Sequence, residues 1–175
     1  MWAFGFVAKN TDAMPLVYLG LGSNTRPEAN LRLAVRELKE RFELRAISSV
    51  YRNKAVGFDG DDFLNAVVCV ETEMSPGDIC QQLEEIHTLA GRQRASDAFA
   101  SRTLDIDLLL YDQLIIDAAP VRVPRDDVLE YSFVLRPLAE ISPDLVHPVT
   151  GKTIGWHWAN SDRDSHPLIR ENLIL

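Results

Sequence analysis

Cysteine is scarce in this chain, and the hallmarks of several protein classes are missing. Only Cys69 and Cys80 occur among 175 residues, and neither belongs to a C-x-x-C pair. The sequence therefore argues against a disulfide framework and against a zinc site. No stretch approaches the roughly 20 consecutive apolar residues of a membrane-spanning helix. Residues 1–9 lack the basic start and the long apolar run of a secretory signal. We expect a cytoplasmic protein without a membrane partner.

Basic residues are also in the minority. The chain has 18 lysines and arginines against 26 aspartates and glutamates, which gives a net charge of -8. A duplex nucleic-acid binder normally presents a basic face, so this composition disfavours nucleic acid as a partner. A polyanionic substrate would have to meet a local group of basic side chains. We expect a monomer.

The length is that of one ordinary domain. Residues 1–14 show no periodicity and are interpreted as an N-terminal extension, followed by a single domain over residues 15–175. Runs of apolar residues and helical spacing predict the main elements of that domain. These are strands at 16–22, 44–51, 63–72 and 104–111, a short strand at 114–116, and helices at 28–42, 76–90 and 133–140.

The order of the first six main elements is strand, helix, strand, strand, helix, strand. This order is typical of the split βαβ, ferredoxin-like pattern. We therefore predict an α+β sandwich in which an antiparallel sheet carries both helices on one face and leaves the other face available for a site. Trp156 and Trp158, two residues apart, are predicted to pack from a strand. His147, His157 and His166 are predicted to be surface or capping residues, because no metal-binding partners accompany them.

The sharpest chemical pattern is the pair Asp105 and Asp107 in an otherwise apolar predicted strand. Successive side chains of a strand point to opposite faces, so both carboxylates project from one face. Burying bare carboxylates is costly without a cation. Carboxylate oxygens suit Mg²⁺, and two of them can bridge a pair of ions. The alternative is a strand with one solvated face and two unrelated aspartates.

Arginines precede that pair. Arg92 and Arg94 follow Gly91, and Arg102 comes directly before the strand. Guanidinium groups are permanently charged and match phosphate oxygens with two parallel hydrogen bonds. Together with the aspartates, they favour a phosphate clamp opposite a metal. Taken alone, the arginines are better explained by salt bridges to Asp97, Asp105 or Asp107.

Phe63 and Asn65 share one face of the third main strand by the same alternation. An aromatic ring can stack on a flat heterocycle, and a carboxamide offers a donor and an acceptor to the edge of that heterocycle. The pair is weak evidence by itself, because an aromatic residue and an asparagine near a strand start also serve in packing and turns.

The combined motifs resemble the 6-hydroxymethyl-7,8-dihydropterin pyrophosphokinase family of the folate pathway. The resemblance spans about residues 15–150 and depends on the order and spacing of several short segments. These segments are LGLGSN at 19–24, SSVYR at 48–52, FLNA at 63–66, GR at 91–92, RTLDID at 102–107, VP at 123–124 and FVLRPLAEI at 133–141.

The resemblance implies transfer of pyrophosphate from ATP to the pterin hydroxymethyl group, with release of AMP. It implies Asp105 and Asp107 as ligands of two Mg²⁺ ions, and Arg92 and Arg102 as catalytic residues. The implied pterin-binding residues are Asn53, Val56, Phe63, Asn65 and Phe133. The implied ATP-binding residues are Arg92, Arg94, Arg102, Ile106, Leu108 and Arg125. Loops 53–62 and 92–103 match the two lids of the family.

Some positions depart from the family pattern. Ala95 and Ala98 replace basic residues of the second lid, and Tyr131 stands where a further arginine is expected. Arg125 replaces the histidine that the family favours after Val-Pro. These changes leave open a second hypothesis, a non-catalytic or specialised pterin- or nucleotide-binding relative. A nucleotidyltransferase is disfavoured because the aspartate pair lies far downstream of the Gly22-Ser23 step.

Overall fold

The computed structural model describes residues 14–57, 59–91 and 104–175. Within these ranges the strands are β1 (Leu16–Ser23), β2 (Glu43–Ile47), β3 (Val50–Asn53), β4 (Phe63–Glu71), β5 (Asp105–Tyr111), β6 (Ile116–Ala118), β7 (Val121–Val123) and β8 (Ile169–Glu171). The helices are α1 (Pro27–Arg41), α2 (Pro76–Leu89), α3 (Asp127–Glu130), α4 (Ser132–Ile141) and α5 (Ile154–Ala159).

One antiparallel sheet organises the fold. Its strands follow the order β5-β1-β4-β3-β8, and β2 pairs with the end of β4 that β3 leaves open. The strands β6 and β7 form a separate hairpin. The central positions of β1 and β4 agree with their sequences, because both are rich in buried apolar residues.

The helices α1 and α2 cover one face of the sheet. Leu31 and Leu38 of α1 and Ile79 and Ile86 of α2 are almost fully buried in a cluster that also contains alternate residues of β1. The predicted start of α2 is confirmed: Ser75 accepts a hydrogen bond from the backbone N–H of Asp78, and Pro76 occupies the first turn.

The opposite face is only partly available. Leu135 and Leu138 of α4 and Ile154 of α5 pack there against Tyr18 and Leu109 of the sheet. The α+β ferredoxin-like class is confirmed, and the structure adds that a second layer of helices covers part of the face expected to hold a site. Among the described residues, no helix has the length and apolar composition needed to cross a membrane.

Three local predictions were wrong. The strand predicted over 44–51 is two strands, β2 and β3, interrupted at residues 48–49, where the backbone N–H of Ser48 bonds to Val67. The short strand predicted at 114–116 begins instead at Ile116, after a turn. Trp156 belongs to a helix, not to a strand, because Thr153 caps α5 by accepting a hydrogen bond from the Trp156 backbone N–H.

Candidate active site

Two glycines of β1 form the floor of the site. In the sheet, Gly22 pairs with Asp105 on one side and with Asn65 on the other, while Gly20 pairs with Asp107. Directly opposed residues of an antiparallel sheet project to the same face, and neighbouring strands lie about 4.8 Å apart. The aspartates and the asparagine therefore flank a strip of sheet that carries no side chains.

A cavity of about 310 Å³ lies over this floor. That volume is within the usual range for pockets that hold small molecules. The structure brings eight of the residues singled out from the sequence to its walls. They are Asn53, Val56, Phe63, Asn65, Asp105, Asp107, Arg125 and Phe133.

One end of the cavity, here called the acidic end, consists of Asp105, Asp107, Arg125 and Asp127. The guanidinium of Arg125 lies 3.1 Å from Oδ1 of Asp107 and donates through Nε to Oδ2 of Asp127 at 2.6 Å. The side chains of Asp107 and Arg125 are 35% and 39% exposed. The aspartate pair predicted to share one strand face does so, with its carboxylates turned toward the cavity.

The charge on Arg125 is reinforced by its neighbours. Burial by itself lowers the pKa of the Arg125 guanidinium, but attraction to Asp107 and the hydrogen bond to Asp127 outweigh burial and raise the pKa above its ordinary value. The acidic end therefore contains a permanent cation. Among the residues described, no group of three or more histidine, cysteine, aspartate or glutamate side chains is arranged to hold a metal.

Ile106 and Leu108 point away from the cavity. Their side chains belong to the cluster under α1 and α2, so any contact that these two residues make with ATP is limited to their backbone. The backbone N–H of Ile106 donates to Nε2 of His87 at 2.8 Å, and Nδ1 of His87 lies 3.2 Å from Glu84. This buried histidine on α2 thus contacts the backbone between the two aspartates.

The other end, here called the amide end, consists of Asn53, Phe63 and Asn65. The two asparagines are 5% and 7% exposed. Nδ2 of Asn65 donates to Oδ1 of Asn53 at 2.5 Å, and Nδ2 of Asn53 donates to the carbonyl of Lys54 at 2.8 Å. These bonds fix the orientation of both carboxamides before any ligand is present.

An aromatic wall, formed by Tyr131 and Phe133, closes the side of the cavity next to α4. The two rings are stacked, with centroids 4.9 Å apart and an interplanar angle of 15°. The tyrosine that replaces an arginine of the family pattern thus extends an aromatic surface beside the proposed pterin contact Phe133.

The second lid holds three of the arginines predicted for the site. Arg92, Arg94 and Arg102, together with the departures Ala95 and Ala98, lie outside the described residues. The assignments made for them remain predictions.

The sequence analysis missed several residues of the cavity. Gly20 and Gly22 were assigned to a strand and to a family motif but not to the cavity, although alternation places both on the face that Asp105 and Asp107 occupy once the strands pair. Asp127 belongs to no motif recognised in the sequence. Its partner Arg125 lies in a turn and not on a strand, so strand alternation could not predict that the two side chains meet.

Comparisons with known proteins show which family this chain resembles. The family model for 7,8-dihydro-6-hydroxymethylpterin-pyrophosphokinase (HPPK) matches residues 18–143. The 2-amino-4-hydroxy-6-hydroxymethyldihydropteridine pyrophosphokinase of Aquifex aeolicus is 34% identical over 143 residues, which are 81% of this chain and 89% of that protein. The enzyme of the same name from Synechocystis is 38% identical over 139 residues, 78% of this chain and 71% of that one.

A similar fold occurs within a larger protein of known structure. A crystal structure of Plasmodium falciparum HPPK-DHPS superposes with a TM-score of 0.70 at 12% identity, over 86% of this chain and 46% of that one. At this identity the likeness concerns the fold alone. The family match and the curated relatives carry the assignment, and by them this chain belongs to the 7,8-dihydro-6-hydroxymethylpterin-pyrophosphokinase family.

Proposed function

We propose that this protein is a Mg²⁺-dependent diphosphotransferase that moves pyrophosphate from ATP to 6-hydroxymethyl-7,8-dihydropterin and releases AMP. Membership of the HPPK family supports the reaction. The observation that carries the proposal for this chain is that the acidic end and the amide end share one cavity, separated only by a glycine floor.

The acidic end would bind the phosphates of ATP. Asp105 and Asp107 fit Mg²⁺ in charge, ligand type and orientation, because magnesium is commonly held by one or two carboxylates plus water and substrate phosphates. Asp127, at the same end, is paired with Arg125. Bound Mg²⁺ would neutralise phosphate charge, and Arg125 would add a cation at the same end.

The amide end would bind the pterin. Its fixed carboxamides can hydrogen-bond the edge of a flat heterocycle, while Phe63 and Phe133 offer apolar ring surface within the same cavity. Val56 borders this part of the cavity from the loop that follows β3. Because the carboxamides are already oriented, little ordering would be needed when the pterin binds.

Transfer requires the hydroxymethyl oxygen to approach the β-phosphorus in line. A new oxygen–phosphorus bond then forms while the bond from the β-phosphorus to the bridging oxygen of the α-phosphate breaks, so AMP departs with that oxygen and the hydroxyl proton is released to water. Such a reaction depends mainly on positioning and on stabilising charge. Arg92 and Arg102 of the second lid would supply that stabilisation when the lid closes over the substrates and excludes water.

Product identity tests the proposal. Purified protein with Mg²⁺, ATP and the hydroxymethyl dihydropterin should form AMP and the pterin pyrophosphate, separated by anion-exchange chromatography. Removal of divalent ions with EDTA should stop turnover, and added Mg²⁺ should restore it. Formation of ADP in place of AMP would contradict the proposed transfer.

The second hypothesis, a non-catalytic relative, gains no support from these comparisons. Calorimetry separates it from the first. Binding of the pterin at saturating Mg-ATP without any AMP release would favour the non-catalytic relative, whereas turnover excludes it.

A further inference from the structure

The C-terminal segment, defined here as residues 160–175, is part of the site's surroundings. It follows α5 and adds β8 to the free edge of β3, the strand that ends at Asn53. Ion pairs join Arg52 to Glu171 and Arg170 to Glu140. Arg32 of α1 donates to the carbonyl of Ile174 at 2.8 Å. Residues 160–168 therefore lie between two elements held in place, α5 before them and β8 after them.

This segment lies beyond residues 18–143, the part of the chain that the family model matches. Its chemistry has to be inferred from the contacts that it makes in this molecule.

His166 brings the segment to the aromatic wall. Its ring meets Tyr131 edge-on at a centroid distance of 5.5 Å and an angle of 69°, and meets Phe133 at 6.0 Å and 82°. The same imidazole therefore contacts both stacked rings. Edge-to-face contacts of this geometry are favourable because a positive ring edge meets a negative ring face.

The orientation of His166 is itself supported. Nδ1 of His166 lies 3.2 Å from the hydroxyl of Ser165, and that hydroxyl donates to the carbonyl of Asp162 at 2.9 Å. His166 is only half-buried. The contact consequently adds little to a hydrophobic core, and its partners are two rings that line the cavity.

We propose that His166 is a positioning residue for substrate binding, holding the Tyr131–Phe133 wall at the tilt that stacks against the pterin ring. This inference depends on the proposed function, because Phe133 is the proposed pterin contact. His166 was expected to be a surface or capping residue, and its edge contacts with two cavity residues are the reason for revising that interpretation.

Substitution of His166 tests the role through a split between the kinetic constants. His166→Ala should raise KM for the pterin about 3- to 10-fold, because two edge-to-face contacts are lost, while KM for ATP and kcat stay within about twofold. His166→Phe should return the pterin KM to within about twofold of the parent, since a benzene ring retains a positive edge.

Two further variants provide controls. His166→Leu keeps apolar volume without a flat edge and should resemble His166→Ala; full recovery by leucine would show that volume alone matters and would overturn the proposal. His157→Ala makes the same change on α5, where His157 contacts Thr150 and Trp156, and should leave the pterin KM unchanged.

A direct measurement of pterin binding distinguishes the proposed function from the proposed role of His166. If the parent protein fails to bind the pterin in a calorimetric titration, the proposed function fails. If the parent binds and His166→Ala binds equally tightly, the proposed function stands and the role of His166 is refuted. Thermal unfolding of each variant, followed by circular dichroism, verifies that the compared proteins are folded.

Discussion

The two ends of the cavity are built on different physical principles. At the amide end, the two neutral asparagine side chains are almost fully buried and bonded to one another, so their geometry exists before any ligand binds. At the acidic end, as far as the structure describes the chain, Asp107 and Asp127 pair with Arg125 and stay partly exposed. Charges of this kind are inexpensive to leave in water but costly to bury unpaired. One end is therefore set by packing, and the other by the pairing of opposite charges.

The largest expected effect concerns the acidic end. Asp107→Asn removes a carboxylate next to Arg125 and should lower AMP release on the order of 10³-fold, as expected when charge stabilisation of a transferring phosphoryl group is lost. The matched control is Asp117→Asn, which changes an exposed aspartate paired with Arg122 on the β6–β7 hairpin. Equal activity of the two variants would disprove the role of Asp107.

A smaller effect is expected from His87, which bonds to the backbone between Asp105 and Asp107. His87→Leu leaves the buried N–H of Ile106 without its imidazole acceptor, at a cost of about 1–3 kcal/mol in unfolding free energy. We expect kcat to fall roughly tenfold because the backbone between the two aspartates shifts. His87→Gln, whose amide oxygen can accept the same bond, should recover most of both losses. Identical behaviour of the leucine and glutamine variants would remove the hydrogen bond from the explanation.

The glycine floor tests how closely the amide end is packed. A Cβ atom at Gly22 would lie 2.9 Å from Oδ1 of Asn65, closer than such atoms normally approach. Gly22→Ala should therefore displace the Asn65 carboxamide and raise the pterin KM about fivefold, with a smaller change for ATP. At Gly77 the new methyl group has space, 3.8 Å from Ser75 Oγ, so Gly77→Ala serves as the control. A pterin KM that is unchanged in Gly22→Ala would show that the amide end tolerates displacement.

The smallest effect concerns the strand that carries Asn53. Glu140 of α4 accepts hydrogen bonds from the hydroxyls of Ser49 at 2.6 Å and Tyr51 at 2.8 Å. Burial alone raises the pKa of Glu140, but these hydrogen bonds outweigh it and hold the pKa below its ordinary value of 4.5. The ionised form is thus favoured in the folded protein. The resulting stability is complete above pH 4.5 and disappears as pH falls through the lower, folded-state pKa.

Glu140→Gln should therefore lower stability by about 1 kcal/mol at pH 7 and by less at pH 3.5. Urea unfolding at both values measures the difference. Glu85→Gln, on the exposed face of α2, should give no comparable change at either pH. A loss for Glu140→Gln that is the same at both pH values would mean that ionisation of Glu140 contributes nothing.

Much of the fold could be predicted from local patterns. Helical spacing placed α1 and α2, Ser75 and Pro76 marked the start of α2, and alternation placed Asp105 and Asp107 on one face. Short elements were harder to predict. The helix around Trp156 has six residues, too few to establish a helical period, and two aromatic residues spaced two apart suggest a strand in isolation. Tertiary packing and the Thr153 cap determine its helical form.

The sequence by itself determined the chemistry of this protein: which residue types are present, the face that each occupies on its own strand, and the family to which their spacing belongs. Only the tertiary structure decided that Gly20 and Gly22 separate the aspartates from Asn65, that Arg125 joins Asp107 to Asp127, and that His166 meets the aromatic wall. The physical reason is that strand alternation and helical spacing are local, whereas strand register and the path of a distant segment depend on contacts between residues far apart in the chain.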